Sequence, residues 1–448
     1  MNTSADTIVA IATAAGMAGI GVLRVSGPLS SVIAQTFLMR APRPRHAYLC
    51  AFRDARGAVI DRGLLLWFPA PRSFTGEDVL ELHAHGSPVV LGLLRTRIVE
   101  LGARMARAGE FSERAFLNGK LDLTQAEAIA DLIASGSEAA ARAASRSLDG
   151  EFSEHVNALT AGVVRLRSQL EAVVDFAEED IDSPADPETL RDLEMLRSDL
   201  ANLRAATRHG VRLTDGLHAV IIGRPNAGKS SLLNALAQSD RAIVTATAGT
   251  TRDVLRETID LDGVAVSLVD TAGLRESNDA IELEGVRRAR VELEHADVAL
   301  LVSEDPDTVV ESALFSGVAD SAQRVVIHNK IDVSGATPKV ERGHDCTHIW
   351  LSARSGQGLD LLRMELRRFA GNDESGQGAF SARSRHVVAL ERASRELDAA
   401  REVLIEQQAV ELALEDLRRV QRALGEVTGE FSNEDLLGAI FSSFCIGK

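Results

Sequence analysis

The sequence predicts a multidomain α/β protein: an α+β N-terminal domain, an α-helical bundle domain, and a phosphate-loop α/β domain inserted into the bundle. Three observations carry that prediction. The β-branched run Ala219-Val220-Ile221-Ile222 leads through Gly223-Arg224-Pro225-Asn226-Ala227-Gly228-Lys229-Ser230 into an amphipathic stretch, Ser231 to Leu236. Strand, Gly-x4-Gly-Lys-Ser loop and helix together make a polyphosphate cradle. Leucine seams at helical spacing lie on both sides of that unit. Short strand-like runs separated by Gly, Pro and Ser fill the first 118 residues.

Composition bounds the rest. The chain has 448 residues and 45% apolar content, enough for sizeable cores in two or three domains. A net charge of −16 argues against a protein that coats nucleic acid non-specifically, while leaving room for a local basic face or a partner that supplies one. Cys50, Cys346 and Cys445 are dispersed without paired metal spacing, which points to a reducing compartment. The chain opens without a secretory leader, and no apolar run is long enough to span a bilayer. A cytoplasmic protein with no membrane association is expected.

Within 1–118, strands are expected at Ile8–Ile11, Ile20–Val25 and Leu64–Phe68. In Val79–His85, alternation puts Glu81, His83 and His85 on one face and Leu80 and Leu82 on the other. A metal site from His-x-His competes there with an ordinary polar sheet face, and the missing third ligand favours the latter. Arg95, Arg97, Arg104, Arg107, Arg114 and Lys120 make the next stretch locally basic, as a solvated helix face by default or an RNA or partner contact. Segment 119–214 is predominantly helical. Val156, Leu159, Val163, Leu166, Leu170 and Val173 form one apolar seam, and Leu193, Leu196, Leu200 and Leu203 another, on either side of the acidic run at 178–182. Segment 376–448 behaves alike through Leu397, Ala400 and Leu404, then Leu417, Val420 and Leu424. The nucleotide domain, 215–375, would be inserted between these blocks, with the Gly/Ser-rich piece 371–378 as its return linker.

The chemistry concentrates in that insert. Lys229 would reach the terminal phosphates, and the Ser230 hydroxyl would ligate Mg²⁺. A second strand, Val264–Val269, ends in Asp270-Thr271-Ala272-Gly273, where a carboxylate can hold the metal through water. A third, Val298–Val302, carries no motif. A fourth, Arg324–His328, runs into Asn329-Lys330-Ile331-Asp332. The Asp332 carboxylate can accept both hydrogen bonds from guanine N1–H and the 2-amino group, which adenine cannot offer. Leu351-Ser352-Ala353-Arg354 supplies a loop to close over the base. The nucleotide is therefore GTP. Leu274 stands where Ras-type proteins carry a water-orienting glutamine, so another group must do that work; Glu276, Asp279, Glu282 and Glu284 lie within reach in sequence.

From end to end the chain resembles the MnmE (TrmE) family of tRNA modification GTPases. The resemblance rests on Gly223–Ser231, Ala248-Gly249-Thr250-Thr251-Arg252-Asp253 and Asp270–Arg275. It extends to Ser73-Phe74-Thr75-Gly76-Glu77-Asp78, Gly109-Glu110-Phe111, Asn118–Asp122 and the terminal Cys445-Ile446-Gly447-Lys448. It implies a folate-binding and dimerisation domain at 1–118, a helical domain from 119–214 and 376–448, and a Ras-like GTPase domain at 215–375. The family works as a homodimer with an FAD-containing partner, MnmG (GidA), in a heterotetramer or larger complex. It adds an aminomethyl or carboxymethylaminomethyl group at carbon 5 of the tRNA wobble uridine, using 5-formyltetrahydrofolate or a related tetrahydrofolate.

Residue by residue, the resemblance implies GTP contacts at Asn226, Ala227, Gly228, Lys229, Ser230 and Ser231, and at Thr245, Ala246, Thr247, Ala248, Gly249, Thr250 and Thr251. Further contacts follow at Asp270, Thr271, Ala272 and Gly273, at Asn329, Lys330, Ile331 and Asp332, and at Ser352, Ala353 and Arg354. Mg²⁺ would rest on Ser230 and Thr251, and an activating K⁺ on Asn226, Thr245, Thr247 and Thr250. Catalysis would fall to Lys229, Asp270 and Glu282, the last orienting water once the GTPase domains pair. Folate contacts would fall on Arg24, Glu81, Lys120 and Lys448. Met17, within Ala14–Gly19, replaces an arginine of the family pattern Pro-Gly-Arg-Gly-Gly. Three other readings compete: a ribosome-assembly GTPase switch, a GTP-regulated folate-dependent transferase acting elsewhere, and a dimeric scaffold.

Overall fold

Two sheets and the helices around them organise the chain. The computed structural model describes residues 6–175, 187–224, 226–239, 256–261, 265–270, 292–293, 296–304, 315, 317–319, 322–369, 380–431, 434–442, 444 and 447. Its internal contacts divide it into two compact units, Met1–Ala130 with Leu148–Asp186 and Ala399–Lys448, and Asp131–Ser147 with Pro187–Asp398.

The first unit is built on a six-stranded sheet. Its strands are β1 (Ile8–Ile11), β2 (Ala18–Ser26), β3 (Tyr48–Arg53), β4 (Val59–Phe68), β5 (Val79–Gly86) and β6 (Arg104–Met105), in the order β3-β4-β5-β2-β1-β6. Only the β1–β6 pair is parallel; the other neighbours run antiparallel. Period-two alternation turns Leu23, Val25, Leu80 and Leu82 toward a core shared with Ile33, Ala34 and Phe37 of α1 (Ser30–Leu38) and Leu91, Leu94 and Ile98 of α2 (Pro88–Glu100). Full burial of each such side chain contributes about 1.5–3 kcal/mol. The reverse face carries Arg24 opposite Glu81 and Val22 opposite His83, as the alternation predicted. On that face His83 stands 3.4 Å from Glu81 and His85 bonds to Asp61 at 2.8 Å; among the described residues no group of three or more His, Cys, Asp or Glu could hold a metal ion.

Helices complete this unit. α3 (Glu110–Leu117) and α4 (Leu123–Ala134) enclose an apolar cluster of Leu123, Ala126, Ile440, Phe441 and Phe444, with Phe116 against it. α6 (Glu151–Asp175) packs along the helix Val410–Thr428. The predicted seam residues Val156, Leu159, Val163, Leu166 and Leu170 are buried, as are Leu417, Val420 and Leu424. Gln421 accepts a 2.6 Å hydrogen bond from Arg167 at the margin of that packing.

The second unit holds a seven-stranded sheet in the order β12-β13-β11-β10-β7-β9-β8. Its strands are β7 (Leu217–Gly223), β8 (Arg256–Asp260), β9 (Ala265–Asp270), β10 (Val298–Ser303), β11 (Gln323–His328), β12 (Lys339–Arg342) and β13 (Thr347–Trp350). The five inner strands are parallel and the two edges antiparallel. Ala219 and Ile221 face Leu232, Leu236, Leu362 and Leu366, while Val220 and Ile222 face Ala299, Leu301 and Val326. Burial on both faces is why β7 reads as an unbroken apolar run. α7 (Pro187–Asp215) buries Leu193, Leu196, Leu200 and Leu203, and bonds to the helix Ser384–Glu402 through Arg197–Asp398 (2.7 Å) and Arg204–Ser394 (3.0 Å). Among the described residues no helix is long and apolar enough to cross a membrane. The return linker and the 178–182 acidic run lie outside the described residues.

Candidate functional site

The C-terminal edge of the parallel strands is where such sheets bind ligands. There β7 ends at Gly223, and α8 (Lys229–Ser239) begins five residues after the loop opens at Arg224. The loop turns through Asn226 at φ 66 and Gly228 at φ 97, conformations that let successive amides point inward. Lys229 is buried, and its ammonium donates to the carbonyls of Gly223 (2.8 Å) and Arg224 (2.9 Å). The cation therefore sits across the loop's concavity, where terminal phosphates of a nucleotide would meet it. Asp270 ends β9 in register with Ile221 of β7, on the same edge.

The base-reading loop is bonded directly to the phosphate loop. Asn329 is buried; its carboxamide donates to the Ala227 carbonyl at 2.9 Å and accepts from the Ala353 amide at 3.0 Å. One side chain thus joins the phosphate loop, the Asn-Lys-x-Asp turn and the Ser352–Arg354 loop. Lys330, at φ 65, adds a second link by donating to the Asn226 carbonyl at 3.0 Å, and pairs with Glu304 at 2.7 Å. Asp332 is exposed, and the Ser352 hydroxyl holds one of its oxygens at 2.6 Å. That bond orients a carboxylate that stays open to solvent. Gly228 is indispensable to this arrangement, since a Cβ there would lie 2.2 Å from the Asn329 amide nitrogen.

In the first unit, Arg24 and Glu81 pair across the sheet at 2.9 Å, with Phe74 5.2 Å from the guanidinium and His83 3.4 Å from the second Glu81 oxygen. Lys120 is exposed but passes along Gly76, in the turn next to Phe74. Gly447, at φ 103, lies against Ile11 and Ala12, where a Cβ would fall 2.4 Å from the Ile11 carbonyl oxygen. Gly447 is thereby held beside β1, next to the strand that carries Arg24. A carboxylate, a guanidinium and an aromatic ring thus meet on the polar side of this sheet.

Sequence reasoning missed what supports this face. Arg114, buried, bonds at once to Glu77 (3.1 Å), Glu110 (3.1 Å) and Asp6 (2.8 Å), while Ser26 holds Glu77 at 2.6 Å and Thr75 at 2.6 Å. Burial pushes the Glu110 carboxyl up, but hydrogen bonds from Arg104, the Arg107 amide and Arg114 outweigh it and hold it down at about 2. The basic stretch is thus largely paired: Arg97 to Glu100, Arg104 to Asp6 and Glu110, Arg107 to Glu113. The Ser73–Asp78 and Gly109–Phe111 motifs had signalled the place without the reason. Thr245–Thr251, Thr271, Ala272, Gly273, Leu274, Glu282, Cys445 and Lys448 lie outside the described residues.

A family model described as the MnmE helical domain matches residues 123–445, and one described as the GTP-binding protein TrmE N-terminus matches residues 7–120. The tRNA modification GTPase MnmE of Xanthomonas campestris pv. campestris (strain B100) is 56% identical over 452 residues, covering 100% of this chain and 100% of that one. Its counterpart from Methylococcus capsulatus is 52% identical over 443 residues, covering 99% of each. Among solved structures, the G domain of the T. maritima FeoB iron transporter is similar at 21% identity, covering 34% of this chain and 98% of that one with a TM-score of 0.26. A likeness that slight carries no argument.

Proposed function

This chain belongs to the MnmE family of tRNA modification GTPases, and we propose that it is the GTP-hydrolysing subunit of a complex that modifies the tRNA wobble uridine. The reading rests chiefly on one observation: the Asn329 carboxamide bridges the phosphate loop and the base loop, so phosphate binding and guanine binding are built as one site. In that site Lys229 and the loop amides bind the β- and γ-phosphates, and Asp332 selects guanine. Ser230 and Thr251 would hold Mg²⁺, and Asn226, Thr245, Thr247 and Thr250 would hold K⁺. The described members of those sets fit, with Asn226 held at a positive φ and Ser230 opening α8 beside Lys229. Bound K⁺ supplies charge where an arginine finger would act, an element worth about 10³–10⁵ in rate. Glu282 would orient the attacking water, and Asp270 would hold the metal through water.

Residues 1–118 form the folate-binding and dimerisation domain, 119–214 and 376–448 the helical domain, and 215–375 the GTPase domain. Arg24, Glu81, Lys120 and Lys448 bind a tetrahydrofolate such as 5-formyltetrahydrofolate, which supplies the one-carbon unit. What supports this is the Arg24–Glu81 pair beside Phe74, with Gly447 packed against Ile11 on the strand next to the one that carries Arg24. The protein acts in the cytoplasm as a homodimer with an FAD-containing MnmG-type partner, and pairing of the GTPase domains couples hydrolysis to a conformational change. The test is the steady-state GTPase rate in potassium against sodium buffer. A rate at least tenfold higher in potassium, lost in Asn226→Ala, supports the account (an effect of about 1.4 kcal/mol); equal rates overturn its catalytic part.

A further inference from the structure

The segment joining α1 to β3, Met39-Arg40-Ala41-Pro42-Arg43-Pro44-Arg45-His46, belongs to neither site. It is organised on Tyr48. The Arg43 amide donates to the Tyr48 hydroxyl at 2.9 Å, the Arg40 guanidinium stands 5.0 Å from the ring centroid, and His46 meets the ring edge-on at 4.5 Å. Arg45 is held at φ 54, a conformation L side chains rarely adopt, by its amide's 2.8 Å bond to the Trp67 carbonyl. Its guanidinium donates to the Arg72 carbonyl, which brings a fourth arginine alongside. Pro42 and Pro44 fix the backbone between the charges. All four arginines are exposed, and among the described residues none is paired with a carboxylate. Arg104, Arg107 and Arg114 of the same unit are all paired. In a chain of net charge −16, four unneutralised guanidinium groups, three on one pinned loop and the fourth on the turn it bonds to, run against the field of the whole.

We propose that Arg40, Arg43, Arg45 and Arg72 form the surface that grips the phosphodiester backbone of the tRNA; this rests on the tRNA-modification reading above. Guanidinium forks match phosphate oxygens bidentately. Tyr48 is buried and serves as a prop for the loop, so no base is read here. Backbone contacts position a nucleic acid without specifying its sequence. An anionic lipid surface would call for apolar side chains beside the charges, and the segment offers one, Met39.

The test uses the full-length protein without its partner, titrated against a fluorescently labelled, unmodified tRNA transcript over a range of potassium chloride. Two variants are compared with wild type, one with all four arginines changed to Gln and one with all four changed to Lys. The Gln variant is expected to bind about tenfold or more weakly, with a slope of log affinity against log salt shallower by about three, at roughly 0.7–0.9 per lost phosphate contact. The Lys variant is expected to keep the slope. Both should keep the wild-type GTPase rate, which excludes misfolding. Unchanged affinity and slope in the Gln variant, or no tRNA binding by wild type, overturns the proposal. So does loss of binding to phosphatidylserine vesicles with tRNA binding intact, which would assign the loop to a membrane. The function itself is judged separately, by whether deleting the gene alters wobble nucleosides; if it does while the Gln variant binds tRNA normally, only the loop assignment falls.

Discussion

Changing Gly228 to Ala tests whether one carboxamide unites the nucleotide site. The new Cβ would lie 2.2 Å from the Asn329 amide nitrogen, at a backbone φ of 97. A non-glycine residue in that conformation costs about 1–3 kcal/mol. Asn329 must also swing away, forfeiting its bonds to Ala227 and Ala353, at about 1 kcal/mol each. The sum, about 3–5 kcal/mol, corresponds to a roughly 10²–10⁴-fold loss of GTP affinity, since the binding-competent arrangement becomes the minor one. Asn329→Ala removes the same two bonds and strands two backbone groups, at about 2–4 kcal/mol. The two losses share their cause, so the double variant should be about 2 kcal/mol better than the sum of the singles. Titration of all four proteins with a fluorescent GTP analogue measures this cycle. Additivity within about 0.5 kcal/mol, or near-normal affinity in Gly228→Ala, would refute the reasoning.

Further outcomes follow from the same geometry. Lys229→Ala should reduce the GTP hydrolysis rate by at least 10²-fold (about 2.7 kcal/mol), read by phosphate release, while the protein's thermal melting stays near wild type. Asp332→Asn should weaken GTP binding and favour xanthosine triphosphate, because the Asn amide donates where guanine also donates; competition titrations decide it. Gly447→Ala, with a Cβ 2.4 Å from the Ile11 carbonyl oxygen, should weaken 5-formyltetrahydrofolate binding about tenfold or more and leave GTP affinity unchanged (about 1.4 kcal/mol confined to one site). Glu110 is depressed to about 2 from an ordinary 4.5, so its contribution is complete above pH 4.5 and is lost as pH falls toward 2. Glu110→Gln should therefore cost roughly 3 kcal/mol at neutral pH, with the difference in melting temperature from wild type closing across that acid window.

Four of the five inner strands of the nucleotide sheet, β7, β9, β10 and β11, were legible because burial on both faces leaves apolar runs, as at Ala219–Ile222 and Val298–Val302. The helical seams were legible for the matching reason, one buried stripe per helix. β3, β12, β13 and the first half of β4 were not. Lys339–Arg342 at the sheet edge is almost wholly polar, and Tyr48–Arg53 alternates too irregularly to signal a period. In the sites, the motif spacing pointed to Lys229, Asn329 and Asp332, but not to Asn329 as the joint between two loops, since its partners lie 102 and 24 residues away. The arginines of 95–120 read as a basic surface because their carboxylates are distant; Arg114 meets Asp6 across 108 residues. Spacing alone could not bring Gly447 to Ile11, which is more than 400 residues away in the chain.

The central claim is that this chain drives tRNA wobble-uridine modification through GTP. Its most direct test is mass spectrometry of nucleosides from total tRNA of a host with the gene deleted. The account predicts loss of the carbon-5 aminomethyl-type uridines, restored by the wild-type chain and not by Lys229→Ala. An unchanged nucleoside profile, in a host with no second copy, would contradict it and leave a GTPase switch of ribosome assembly as the better reading.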